Sequence, residues 1–125
     1  MSEKPRLEKD MMCPLEFGLE KFGGRWKARI ICALSIHDAL RFGAIRDELR
    51  YITDSVLTAM LKELIADGLV SRKQFEAVPP RVEYSLTDKG RSVLPVLQSI
   101  CQWSLDSSEE ELERKLSSCQ TCPQM

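Results

Sequence analysis

Apolar residues recur at helical spacing through the first half of this chain, switch towards alternation after residue 68, and return to helical spacing near residue 90. Residues 14–22, PLEFGLEKF, open on a proline suited to a first helical turn, and Gly23–Gly24 breaks the pattern. Over residues 25–36, Trp26, Ile30, Ala33 and Leu34 form one apolar helix face, and Phe42, Ile45 and Leu49 repeat the device over 41–49. YITDSVLTAMLKELIADG then predicts a helix from about 54 to 67. Thr53 is its N-cap, Asp54 suits the positive end of the dipole, Leu57, Leu61 and Leu64 form the buried stripe, and Gly68 closes it.

Beyond Gly68, LVSRKQF is strand-compatible, and VEYSL places Val82, Tyr84 and Leu86 on one face. Pro79 and Pro80 lack backbone donors, so they belong at the tip between two strands. Thr87 caps a helix predicted from Asp88 to about Leu105, kinked at Pro95, with Val93, Leu97, Ile100 and Cys101 on its inner side. The order is four helices, a hairpin and a helix. That is a mostly α fold with a small antiparallel β-hairpin, arranged as a winged helix-turn-helix. The prolines stiffen the wing, and Arg81 sits at its base within reach of a phosphate. Residues 13–105 form the domain, residues 1–12 a loose N-terminal arm, and residues 106–125 an acidic and then polar tail, read as disordered.

Length and composition narrow the class. With 125 residues, 43 % of them hydrophobic and 30 % charged, one soluble globular domain is expected. No apolar run approaches a bilayer span, and MSEKPRLEKD lacks the apolar stretch of a signal peptide, so the expected location is cytoplasmic, away from any membrane, with the five cysteines as thiols. Net charge is −1, which argues against indiscriminate binding to nucleic acid. Residues 13–91 hold 13 Lys/Arg against 11 Asp/Glu, and residues 92–125 hold two against five. Attraction to phosphate must therefore come from local placement of cations.

Four stretches, CPLEFGLEKFGGRWKARIICAL, RFGAIRDEL, VLTAMLKELIADGLVSR and VPPRVEYSLTDKGRSVLPVL, resemble the HxlR family of bacterial winged-helix transcription regulators. The resemblance runs from Cys13 to about Trp103. It implies a homodimer that binds double-stranded DNA at an inverted-repeat operator and pairs through its first and last helices. Leu15, Phe17, Ile100 and Trp103 are the candidate residues of that seam. The helix at 54–67 is expected to enter the major groove, its half-sites about one helical turn (~34 Å) apart. At about 100° per residue, Ser55, Ala59 and Lys62 point away from the leucine stripe, with Thr58 at the flank. Arg46, Arg41, Arg81 and Lys27 are candidate phosphate contacts.

The chain departs from the family pattern on that helix. Family members usually carry Pro and Arg where Asp54 and Ser55 stand, and Gln and Arg where Ala59 and Met60 stand. Side chains suited to bidentate base reading are thereby lost, leaving contact between Ala59 and thymine methyls as one substitute. The resemblance also implies a thiol sensor at the CP dipeptide. Cys13 would open the first helix, where the positive dipole end stabilises a thiolate, and a small electrophile or oxidant is the implied effector.

Two rival readings follow from other features. The sparse basic face of residues 54–67 suits a winged-helix module that pairs with protein and has lost specific DNA binding. The CQTC pair at Cys119 and Cys122 suits a thiol oxidoreductase, but one histidine, no βαβ pattern and no nucleophile–base set argue against an enzyme. The same pair supplies only two metal ligands and His37 is distant in sequence, so neither a metal site nor a cofactor is expected.

Overall fold

Ile30, Ile31 and Leu34 expose no surface at all, and enclosing them sets the architecture. The computed structural model describes residues 13–107. The three side chains lie on α2 (Lys27–Ser35), and around it stand α1 (Pro14–Phe22), α3 (Phe42–Leu49), α4 (Asp54–Ala66), β1 (Val70–Phe75), β2 (Arg81–Leu86), α5 (Asp88–Arg91) and α6 (Leu94–Ser107). Among the described residues, α2 touches each of the other helices and β2. The core is completed by Ile45 and Leu49 from α3, the predicted Leu57, Leu61 and Leu64 from α4, Val70 and Leu86 from the hairpin, and Leu97 from α6. Each such side chain contributes about 1.5–3 kcal/mol by leaving water. Trp26 packs half-buried at the edge of this core, with the guanidinium groups of Arg25 and Arg29 over its ring.

Both ends of α4 close as the sequence indicates. The Thr53 hydroxyl accepts from the Val56 N–H at 3.2 Å. At the far end Gly68 adopts φ 79°, letting its own N–H reach the Ile65 carbonyl and the Leu69 N–H reach the Leu64 carbonyl. The chain leaves that turn straight into the wing. β1 and β2 pair antiparallel from Val70↔Leu86 to Phe75↔Arg81, which leaves residues 76–80 as the tip, with both prolines exposed. Arg81 therefore stands at the tip end of the ladder and not at its base. A contact absent from the sequence pattern braces the root. Leu40 exchanges two backbone hydrogen bonds with Tyr84, 2.9 and 2.8 Å, tying the segment before α3 to β2.

The predicted continuous helix from Asp88 to Leu105 is instead two helices. α5 ends at Arg91, and Ser92 turns back to donate its hydroxyl to the Lys89 carbonyl at 2.6 Å. α6 begins afresh at Leu94, so Pro95 falls in a first turn, where its missing N–H costs nothing, and no kink forms. The restart resets the helical phase. Leu94, Leu97 and Cys101 turn inward, while Val96, Ile100 and Trp103 form a separate exposed stripe. Ile100, expected on the inner side, is 49 % exposed. α6 also extends two residues beyond the predicted domain end, to Ser107. The N-terminal arm and the CQTC pair lie outside the described residues.

One joint fixes the wing against α4. Thr87 Oγ1 donates to the Gly68 carbonyl at 2.6 Å and accepts from the Gly90 N–H at 3.0 Å, while the Thr87 N–H reaches the Leu69 carbonyl at 3.1 Å. Gly90 is buried there, and a Cβ on it would overlap the Leu69 carbonyl oxygen. Gly90→Ala should therefore lower the thermal midpoint by on the order of 10 °C, a cost of about 1–3 kcal/mol. Gly43→Ala, where the added carbon meets only ordinary contacts, should leave the midpoint unchanged or raise it. Calorimetry of the two variants checks both expectations.

Candidate nucleic-acid interface

The leucine stripe commits one side of α4 to the core, so the opposite side has no choice but solvent. Ser55, Thr58, Ala59 and Lys62 are all exposed there. They make one continuous surface over the first three turns, bounded at one end by the turn from α3 and at the other by the wing. Ser55 Oγ lies 3.4 Å from the capping hydroxyl of Thr53, so its own donor and acceptor capacity is only lightly engaged. An exposed helix face of small hydroxyls, a methyl and one ammonium can approach a flat polar surface closely. Its width suits a duplex major groove.

The proposed phosphate-binding cations divide into three situations. Arg41 stands exposed at the N-cap of α3. Arg46 and Arg81 are each held by a carboxylate. Arg46 Nη1 lies 2.9 Å from Asp54 Oδ1, bridging α3 to the first turn of α4. That hydrogen bond, then the charge of Asp54, raises the guanidinium pKa above its ordinary value, with Asp47 adding and desolvation opposing. Asp54 lies in the first turn of α4 directly behind the Thr53 cap, and its carboxylate neutralises Arg46. Both groups remain solvent-accessible, so the pair is screened by salt and open to exchange for a phosphate. Arg81 donates to Glu83 at 3.1 Å and lies 4.3 Å from the Phe75 ring centroid, with Lys73 over the same ring at 5.1 Å. The wing tip thus carries two cations stacked on one aromatic.

Lys27 is the third situation, and the expectation that it contacts DNA does not hold. It is 9 % exposed, pairs with Glu63 at 2.6 Å and donates to the Glu20 carbonyl at 3.3 Å. Its ammonium joins α1, α2 and α4 from inside. The apolar helix face around it was legible in sequence, but its two partners lie on other helices and were not.

The remaining candidates lie away from this face. Cys13 is exposed at the N-cap of α1, where its backbone N–H donates to the Glu16 carboxylate at 3.2 Å. Leu15 and Phe17 on α1, and Ile100 and Trp103 on α6, are exposed, Trp103 by 69 % and Leu15 by 68 %. Leu19 and Val96 join them, so two helices present exposed apolar side chains. No group of metal-binding side chains occurs among the described residues, and none of their helices is long and apolar enough to cross a membrane.

Similarity to known proteins follows the same outline. The family described as HxlR-like helix-turn-helix matches residues 21–112. A protein of Methanothermobacter thermautotrophicus named as an HTH-type transcriptional regulator is 42 % identical over 94 residues, spanning 75 % of this chain and 71 % of its own. The redox regulator HypR in its oxidized form superposes with a TM-score of 0.72 at 38 % identity, covering 78 % of this chain and 99 % of HypR. The reduced form of the transcriptional regulator YodB from Bacillus subtilis gives a TM-score of 0.70 at 33 % identity, covering 79 % and 97 % respectively.

The two lysines of opposite situation give a direct check. Lys27→Gln removes an ammonium that three helices share and should lower the thermal midpoint by several degrees, about 1–2 kcal/mol. Lys62→Gln removes a solvated charge and should leave the midpoint within about 0.5 kcal/mol of the parent. Thermal melts followed by circular dichroism distinguish the two.

Proposed function

The chain belongs to the HxlR-like helix-turn-helix family, and on that premise we propose that it is a transcription regulator whose homodimer places two copies of α4 on an inverted-repeat operator. The observation that carries this reading is the exposed face of α4, capped at both ends and flanked by a wing locked to it through Thr87. Ser55, Thr58 and Ala59 meet base edges or the adjacent backbone, Lys62 meets a phosphate, and Arg41, Arg46 and Arg81 secure the flanks. Arg46 and Arg81 reach phosphate by exchanging a carboxylate partner for it, a step that needs no change of backbone. The reading makes the chain a binding protein and assigns it no reaction.

Pairing falls to α1 and α6. Leu15, Phe17, Ile100 and Trp103 form the seam, a reading supported by their exposure on the two helices. Cys13 opens α1 and so stands at the edge of that seam. Addition of a small electrophile to its sulfur, or its oxidation, alters the start of a pairing helix and through it the separation of the two recognition helices. The naming of HypR as a redox regulator supports this assignment of the signal.

A second reading is favoured by one observation: Lys62 is the only cation on the outer face of α4, and Arg46 is already engaged. On that reading the winged helix docks a protein instead of DNA. Selection of duplexes from a random pool by the full chain decides between them. The regulator reading predicts an enriched inverted repeat, bound with log K falling about 0.9 per phosphate contact for each unit of log salt. Enrichment of no sequence supports the protein-docking alternative. Trp103→Asp should shift the protein to monomer in analytical ultracentrifugation and weaken operator binding at least tenfold. A dimer that persists in that variant contradicts the seam. Cys13→Ser should bind the selected duplex as the parent does, yet lose the response of the parent to diamide. A retained response moves the signal to another cysteine.

A further inference from the structure

Leu49 closes α3 at 2 % exposure and Ile52 re-enters the core at 6 %, so only Arg50 and Tyr51 are left to reverse the chain between the two helices. Both do so at positive φ, Arg50 at 52° with ψ 154° and Tyr51 at 54°. A side chain at such angles crowds its own backbone, and the combination at Arg50 is almost confined to glycine. The other two positive-φ positions among the described residues, at 90° and 79°, are Gly24 and Gly68. This chain therefore uses glycine where conformation alone is at stake, and keeps two large polar side chains where glycine would be easier.

Neither side chain packs into the core. Tyr51 is 90 % exposed, Arg50 is exposed, and among the described residues neither has a side-chain partner. The turn is held by other groups. The Arg50 N–H closes α3 on the Arg46 carbonyl at 3.0 Å, and Arg29 donates to the Leu49 carbonyl at 3.2 Å. Tyr51 stands two residues before the Thr53 cap, so both exposed residues directly precede the end of α4 that carries Ser55 and Thr58.

The geometry points to Arg50 and Tyr51 as a phosphate clamp that fixes the register of α4 on the DNA backbone, an inference resting on the regulator reading above. The phenol O–H donates to a non-bridging phosphate oxygen, and the guanidinium donates to the same or a neighbouring phosphate. Such contacts carry no sequence information. They hold in place a helix whose own outer face has a single cation, and the strained turn keeps both groups aimed outward without a supporting side chain.

The test uses the full chain, the duplex that the parent selects from a random pool, and a scrambled duplex of the same composition. Tyr51→Phe keeps the ring and removes the O–H; it should weaken binding to both duplexes by about tenfold per engaged subunit, the worth of one hydrogen bond to a charged acceptor. Arg50→Gln should flatten the salt dependence by about 0.9 per engaged subunit. Tyr51→Gly relieves the backbone, so its thermal midpoint should equal or exceed that of the parent while its binding falls. Parent-like binding by Tyr51→Phe and Arg50→Gln overturns the clamp alone. A lowered midpoint in Tyr51→Gly overturns it too, by giving the residue a structural role. A parent that selects no duplex instead overturns the regulator reading and the clamp with it.

Discussion

The Thr87 hydroxyl is one atom serving two elements. By donating to Gly68 and accepting from Gly90, it joins the turn that ends α4 to the turn that begins α5. The wing departs from the first turn and returns at the second, so its whole length is set by this junction. Gly68 is needed for its left-handed φ and Gly90 for its closeness to the Leu69 carbonyl. Lys89 adds a third link, donating to the Asp67 carbonyl at 3.2 Å. These bonds hold α4 and the wing in one fixed arrangement.

That rigidity gives a sparse surface its use. A face bearing Ser55, Thr58, Ala59 and Lys62 offers few strong donors. On the proposed reading, affinity accumulates from cations around it, namely Arg41, Arg46 and Arg81, each contributing through its placement. The Arg46–Asp54 bridge fits this economy. It ties α3 to the head of α4 while DNA is absent, and it neutralises the carboxylate that would otherwise repel a phosphate. On the proposed reading, the exposed apolar side chains of α1 and α6 serve pairing and the outer face of α4 is left for the duplex.

Local signals are legible in the sequence where local physics decides. The Thr53 cap, the Gly68 terminator, the leucine stripe and the proline-tipped hairpin each depend on residues within one turn or one hairpin of each other. The HxlR resemblance added the expected DNA-facing and pairing surfaces to an order already legible in the pattern. What escaped the sequence depends on partners far along the chain. The Leu40–Tyr84 bridge spans the whole helix-turn-helix, and the burial of Lys27 requires Glu20 and Glu63 from two other helices. The break at Ser92 escaped because Pro95 reads equally as a kink or as a first-turn residue. Arg50 and Tyr51 escaped because neither residue type signals a positive φ; only the burial of Leu49 and Ile52 on either side demands one.

The central claim is that α4 and the wing form one rigid DNA-reading unit, presented twice by a dimer. Hydroxyl-radical footprinting of the full chain on its selected duplex tests it most directly. Two protected patches about one helical turn apart on the same face of the duplex, each with a flanking patch from the wing, are the predicted result. A single uninterrupted patch, or protection that wraps both faces with no wing flank, would contradict it.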